Sequence, residues 1–246
     1  PVFLIGFPRS GTTLIDTILN SHPSVEVIEE KPMVGKLIES LAKLPDGGLK
    51  NLEKINEANT EKLKNIYFNF LDKQIEKKSN HKTYIDKFPL NIVHVGEIFR
   101  MFPNAKFIVA LRHPYDCVLS CFMQNFELND AMANFFTIED SAKLYDSVMS
   151  LWVKYLSIFK IKYHNVKYEN LIKEFNPTIQ SILSFLELPW DDSVLKYSRT
   201  AQQKSNIATP SYKQVIKPIY SYASGRWKRY ENSRFSNSRF GSSSSR

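Results

Sequence analysis

Two cysteines, Cys117 and Cys121, are all that the 246 residues contain. They stand four apart in a stretch that reads as one helix, so both fall on one face, a poor arrangement for a disulfide framework. A reducing, cytoplasmic setting fits such cysteine usage. The chain has no HExxH and no paired CxxC, and no metal centre is expected. It also lacks a signal peptide and any long apolar run. It opens with Pro1 directly on a strand-like run, without an initiator methionine, and reads as a fragment that leaves room for an upstream anchor or domain. Blocks of Lys/Arg and RNA-binding signatures are missing too, which argues against nucleic acid as a partner. Of the formal net charge of +8, three positives (Arg234, Arg239, Arg246) sit in a Ser-rich tail without acids, so the body carries a modest +5.

What is present is globular composition, 43% apolar and 13% aromatic, enough for one domain with a full core. That domain is expected over 1–232, with 233–246 as a low-complexity, disordered tail. Strand-like and helix-like segments alternate throughout. Val2–Ile5, Val25–Ile28, Thr83–Asp86, Lys106–Leu111 and Asn165–Tyr168 read as strands. Between them, helical spacing marks Leu14–Leu19, Leu37–Leu44, Leu63–Leu71, Ile92–Phe102, Tyr115–Phe122, Ile138–Ile158 and Ile179–Leu186. The alternation predicts an α/β fold with a mostly parallel central sheet flanked by helices. Lys106–Leu111, apolar on both faces, reads as a central parallel strand of it.

The first strand runs into Gly6-Phe7-Pro8-Arg9-Ser10-Gly11-Thr12-Thr13. The glycine spacing is that of a Walker A loop, but Thr12 stands where the lysine belongs. The amides around Ser10, Gly11 and Thr12 can converge on a phosphate at a helix N-terminus. Without the lysine, and with a cation at Arg9 instead, a nucleoside triphosphate is not the favoured ligand. Other chemistry-bearing residues fall at strand ends, where open α/β sheets gather their sites: Glu29 and Glu30 after the second strand, Lys87 after the third, Arg112 after the fourth. A polar stretch from Arg199 to Tyr222, without periodicity and long for a connection, reads as a functional loop.

PRSGTT after an apolar strand, with these later residues in this order, resembles the sulfotransferase superfamily, and within it the protein-tyrosine sulfotransferase group and its bacterial relatives that carry tetratricopeptide repeats upstream. The resemblance covers about Val2 to Tyr230; no repeat of about 34 residues occurs in the chain itself. It implies a P-loop-containing three-layer sandwich and 3′-phosphoadenosine 5′-phosphosulfate as co-substrate, with no metal. Arg9, Ser10, Gly11, Thr12 and Thr13 would cradle the 5′-phosphosulfate. Arg112 and Ser120, eight residues apart, would grip the 3′-phosphate, Tyr168 would contact the nucleotide, and Gln203–Tyr212, including Ser211, would close over it with Lys217. Glu30 and Lys87 take the positions of the catalytic glutamate and lysine, with Arg9 as a third catalytic group. The implied partners are a hydroxyl- or phenol-bearing acceptor (peptide tyrosine, glycan or small molecule), a second copy in a homodimer, and an upstream repeat domain. Two positions depart from the animal enzymes: Gln124 replaces an arginine four residues after the phosphate-binding serine, and Pro32 replaces the nearer of the arginines that hold an acidic peptide.

Glu30 is favoured over Glu29 as the base on the family spacing from Arg9, and because neighbouring strand residues point to opposite sides, so that one of the pair at most faces the loop. Two other functions fit the same loop: a nucleotide or metabolite kinase with a degenerate Walker A motif, and a nucleotide-binding scaffold without activity.

Overall fold

The computed structural model describes residues 1–44, 48–75, 82–126, 129–198 and 224–230. Five strands, β1 (Val2–Gly6), β2 (Val25–Glu29), β3 (Thr83–Lys87), β4 (Lys106–Leu111) and β5 (Lys162–Lys167), form one sheet in the order β2-β3-β1-β4-β5. Every pairing among them is parallel. The sheet is therefore buried on both faces, as parallel sheets require.

Alternation along β1 divides the core. Phe3 and Ile5 look to one side, where they join Phe107, Val109, Tyr67 and Trp152 beneath helices α2 (Met33–Ala42), α3 (Glu57–Gln74), α4 (Val95–Met101) and α6 (Ile138–Ile158). Val2 and Leu4 look to the other, against α1 (Thr12–Leu19) and α8 (Phe175–Leu186) through Ile15, Ile18, Ile179 and Leu183. Helix, sheet, helix is the three-layer sandwich expected. α5 (Pro114–Phe122) follows β4, with Pro114 at its first position, where a missing N–H costs nothing. The short α7 (Tyr168–Lys173) follows β5.

Two segments differ from the sequence reading. The run expected as one helix over 92–102 opens as a 3₁₀ turn, Pro89–His94, before α4 begins. The last strand starts earlier, at Lys162, and stops at Lys167, so Tyr168 opens a helix rather than closing a strand. β5 is a solvent-facing edge, with only Val166 fully buried, and so lacks the apolar run by which a strand is recognised. The loop expected over 199–222 and the tail expected over 233–246 lie outside the described residues.

Register places the site. Leu4 lies opposite Lys87, Lys87 opposite Glu29, Gly6 opposite Ala110 and Leu111 opposite Lys167. The carboxyl ends of all five strands thus share one edge. From β1 the chain crosses towards β2, whereas from its neighbour β4 it crosses to β5 in the opposite direction. The crevice between β1 and β4 is accordingly the switch point at which open α/β sheets bind ligands.

One buried acid sits apart from that edge. Asp86, facing the Phe3 side, accepts a hydrogen bond from Tyr67 Oη at 3.3 Å, and burial pushes its carboxyl up to about 7 despite that bond. The folded chain therefore holds a proton on Asp86 that the unfolded chain releases near its ordinary value of 3.8. This contribution is full below the unfolded value and is lost as pH rises through about 7, costing up to about 4 kcal/mol by the alkaline side. Asp86→Asn, which keeps the neutral shape, is expected to melt close to the wild type at about pH 3.5, below the unfolded value, and several degrees above it at pH 8. Equal shifts at both pH values would contradict a protonated Asp86.

Candidate active site

The loop between β1 and α1 is shaped by two glycines. A Cβ on Gly6 would stand 2.6 Å from the Ala110 carbonyl oxygen and 2.8 Å from Ser10 Oγ, so the strand can turn into the loop only without a side chain. Gly11, at φ 103°, is the N-cap of α1, and a Cβ there would strike the Tyr168 ring at 2.8 Å. No side chain caps this helix. The N–H groups of Thr12 and Thr13, in its first turn, have no acceptor within the helix and suit an anion. The Ser10 amide instead closes the loop by donating to Phe7 O at 3.1 Å, so it drops out of the amide cradle read from the sequence. Ser10 Oγ is buried and has no hydrogen-bond partner among the described residues, a hydroxyl suited to a phosphate oxygen.

Arg9 stands at the crest of the loop in the left-handed region, φ 68°, which turns its side chain toward α5. Its Nε donates to Ser120 Oγ at 3.0 Å. Its carbonyl accepts from Arg112 Nη1, also at 3.0 Å. Arg112 comes off the end of β4 and lies over the Tyr168 ring, 4.8 Å from its centroid, a cation–π contact. Four residues widely separated in sequence, Arg9, Arg112, Ser120 and Tyr168, are thus one cluster. Ser120 serves the guanidinium of Arg9 rather than that of Arg112. Burial lowers the Arg9 pKa from its ordinary value. The two cysteines are free and form the floor: Cys121 Sγ donates to Pro8 O at 3.4 Å, and burial lifts the Cys117 thiol to about 12, so neither is a nucleophile.

A second cluster lies along the same edge. Lys87 is fully buried, and its Nζ donates to Glu29 Oε1 and Glu30 Oε1, both at 2.9 Å, with Asp16 Oδ2 of α1 at 3.7 Å. The expectation that at most one of Glu29 and Glu30 could face the loop is wrong. Pleat alternation holds only within a strand. Glu30 follows the last residue of β2 with φ 49°, while its amide still donates to Lys87 O at 2.8 Å, and this left-handed turn brings its carboxylate to the same side as that of Glu29. Burial pulls the Lys87 ammonium down, but Asp16, Glu30 and Glu29 outweigh it and hold its pKa above the ordinary lysine value.

Several contributors carried no motif. Glu169 Oε1 accepts from the His113 amide at 2.9 Å and so fixes the turn that aims Arg112. Asp116 is buried and accepts from the amides of Gly225 and Trp227, at 2.7 and 3.1 Å, clamping 224–230 to α5. Trp227 stacks on His113 with centroids 5.0 Å apart and planes 14° from parallel. An acid in the apolar stripe of α1, Asp16 beside Leu14, Ile15 and Ile18, was the signal for the buried carboxylate. Of the two departures from the animal pattern, Gln124 donates to the neighbouring Asn125 O, and Pro32 is the N-cap of α2. Ser211 and Lys217, with the 203–212 stretch, lie outside the described residues.

The family model described as "Sulfotransferase family" matches residues 1–192. The chain belongs to the sulfotransferase family. It is 34% identical over 236 residues to an uncharacterized protein of Aquifex aeolicus, covering 94% of this chain and 31% of the relative. Protein-tyrosine sulfotransferase 1 of Danio rerio is 26% identical over 233 residues, covering 92% of this chain and 65% of the relative. The sulfotransferase chain therefore spans from under a third to just under two thirds of these curated relatives' lengths. Among solved structures, the sulfotransferase domains of the Synechococcus PCC 7002 olefin synthase and of the curacin biosynthetic pathway each superpose with a TM-score of 0.60. Identities are 21% and 18%, over 92% of this chain and 86% and 89% of theirs, which shows the fold they share. Family membership favours the sulfotransferase reading over the degenerate-kinase reading. No helix among the described residues is long and apolar enough to cross a membrane, and no described group of His, Cys, Asp and Glu is suited to a metal ion.

Proposed function

We propose that this chain moves a sulfuryl group from 3′-phosphoadenosine 5′-phosphosulfate to a hydroxyl or phenol. The observation that carries the reading is the loop itself: a phosphate-binding turn without the Walker lysine, whose Arg9 is tied to Ser120 and Arg112 across the β1–β4 crevice. The residues fit such a donor. Thr12, Thr13 and Ser10 Oγ offer donors for its 5′-phosphosulfate, and Arg112, with Ser120 close by, offers a charged fork for its 3′-phosphate.

In the reaction proposed, Glu30 accepts the proton of the acceptor hydroxyl as that oxygen forms its bond to sulfur. The bond from sulfur to the bridging phosphate oxygen breaks, and its electron pair stays on that oxygen, where Lys87 and Arg9 meet the growing negative charge. The products are a sulfate ester and adenosine 3′,5′-bisphosphate. No covalent enzyme intermediate and no metal is needed, because side-chain cations supply the charge that magnesium supplies to kinases. Likeness to a protein-tyrosine sulfotransferase supports peptide tyrosine among the acceptors, while Pro32 points to acceptors other than acidic peptides. An upstream repeat domain, a homodimer and a cytoplasmic setting belong to the same proposal.

Titration by calorimetry tests it: adenosine 3′,5′-bisphosphate is expected to bind more tightly than ATP with magnesium, and the reverse order would overturn the donor assignment. Arg112→Ala should weaken bisphosphate binding by about 2–3 kcal/mol, the scale of charge-assisted bonds to a phosphate. An unchanged dissociation constant would remove Arg112 from the site.

A further inference from the structure

Lys87 meets three carboxylates where one would neutralise it. The three are not held alike. The Asp16 side chain is 4% exposed and rides on α1, the helix that the phosphate-binding loop opens, so it cannot leave without moving that helix. Glu29, 20% exposed, ends β2 with its backbone in register with Lys87 itself. Glu30 is 40% exposed and stands one residue beyond the strand, in the left-handed turn, where the pleat no longer fixes it. β1, the other strand beside Lys87, brings only apolar Leu4 into register.

A general base becomes neutral as it works. Were Glu30 the sole partner of Lys87, its protonation would leave a buried ammonium without a counter-charge, and such an ammonium sheds its proton. We propose that Asp16 and Glu29 are positioning residues, a standing counter-charge that keeps Lys87 protonated and aimed while Glu30 exchanges the lysine for the acceptor hydroxyl. The inference rests on Lys87 and Glu30 acting in sulfuryl transfer as proposed above. It assigns different work to three carboxylates that lie within 4 Å of one nitrogen.

The test uses the full chain with Asp16→Asn, Asp16→Glu and Glu29→Gln, each alone and combined with Lys87→Ala. At saturating donor, Asp16→Asn and Glu29→Gln are expected to lower turnover by about 10-fold and to change bisphosphate affinity less than about 2-fold. The alkaline limb of the turnover profile should move to lower pH, and Asp16→Glu should recover most of the loss. In the Lys87→Ala background neither substitution should lower turnover further, because each acts through the lysine. A further loss in that background, or an unmoved alkaline limb, would overturn the proposal. If Asp16→Asn does not fold, the more exposed Glu29→Gln carries the same comparison. A second readout needs no activity: the Lys87 ammonium, followed by nitrogen-15 NMR, should titrate at lower pH in Glu29→Gln than in the wild type. If the wild type transfers no sulfuryl group, the functional reading fails, and this titration still decides whether the carboxylates hold the lysine charged. An equal midpoint rejects the positioning role.

Discussion

Glu30→Gln is expected to leave bisphosphate affinity intact and to cut sulfuryl transfer by at least ~10²-fold, the low end of what a general base contributes. The substitution keeps the shape of the side chain and removes its basicity. It also takes one negative charge from Lys87, but Asp16 at 3.7 Å and Glu29 at 2.9 Å remain, so the lysine stays charged and the loss reports the missing base. Glu29→Gln, with Glu30 still in place, should lose about a tenth as much. Comparable losses in both variants would show that the base had been assigned to the wrong member of the pair.

Arg9→Ala should lower turnover by about 10²-fold while donor affinity falls much less, by analogy with lost oxyanion donors. The structure gives a reason for the split. Arg112 is held by the carbonyl of Arg9 and the ring of Tyr168, neither of which the substitution removes, so its grip should survive. Alanine retains the Cβ that already occupies φ 68°, so the loop gains no new strain. If only the Michaelis constant for the donor rises, Arg9 binds the ground state and does not act on the transition state.

Much of this was legible because it is local. β1 and β4 are apolar runs and were read as strands, β4 with its observed ends and β1 one residue short, and the long α6 was bounded correctly by its spacing. The loop announced itself through two glycines and an arginine. What could not be read was set by backbone torsions or by partners distant in the chain. The left-handed turn at Glu30 overturned an argument from strand alternation, since a single positive φ reverses where a side chain points. Tyr168 proved to open a helix, and its ring packs against the Arg112 guanidinium. The Asp116 carboxylate holds Gly225 and Trp227, about 110 positions away, an interaction that no window on the sequence reveals. Asp16 escaped notice because one acid within an apolar helix face is easily passed over as a surface residue, although it is almost wholly buried.

The central claim is a sulfuryl transfer that starts from 3′-phosphoadenosine 5′-phosphosulfate and passes through Glu30. The most direct measurement incubates the chain with donor labelled in its sulfur, against a panel of tyrosine peptides, phenols and glycans, beside the Glu30→Gln protein. Label appearing in at least one acceptor, in step with released adenosine 3′,5′-bisphosphate and reduced at least ~10²-fold in the variant, is the result predicted. Unlabelled acceptors throughout the panel, with phosphoryl transfer from ATP and magnesium in their place, would contradict it.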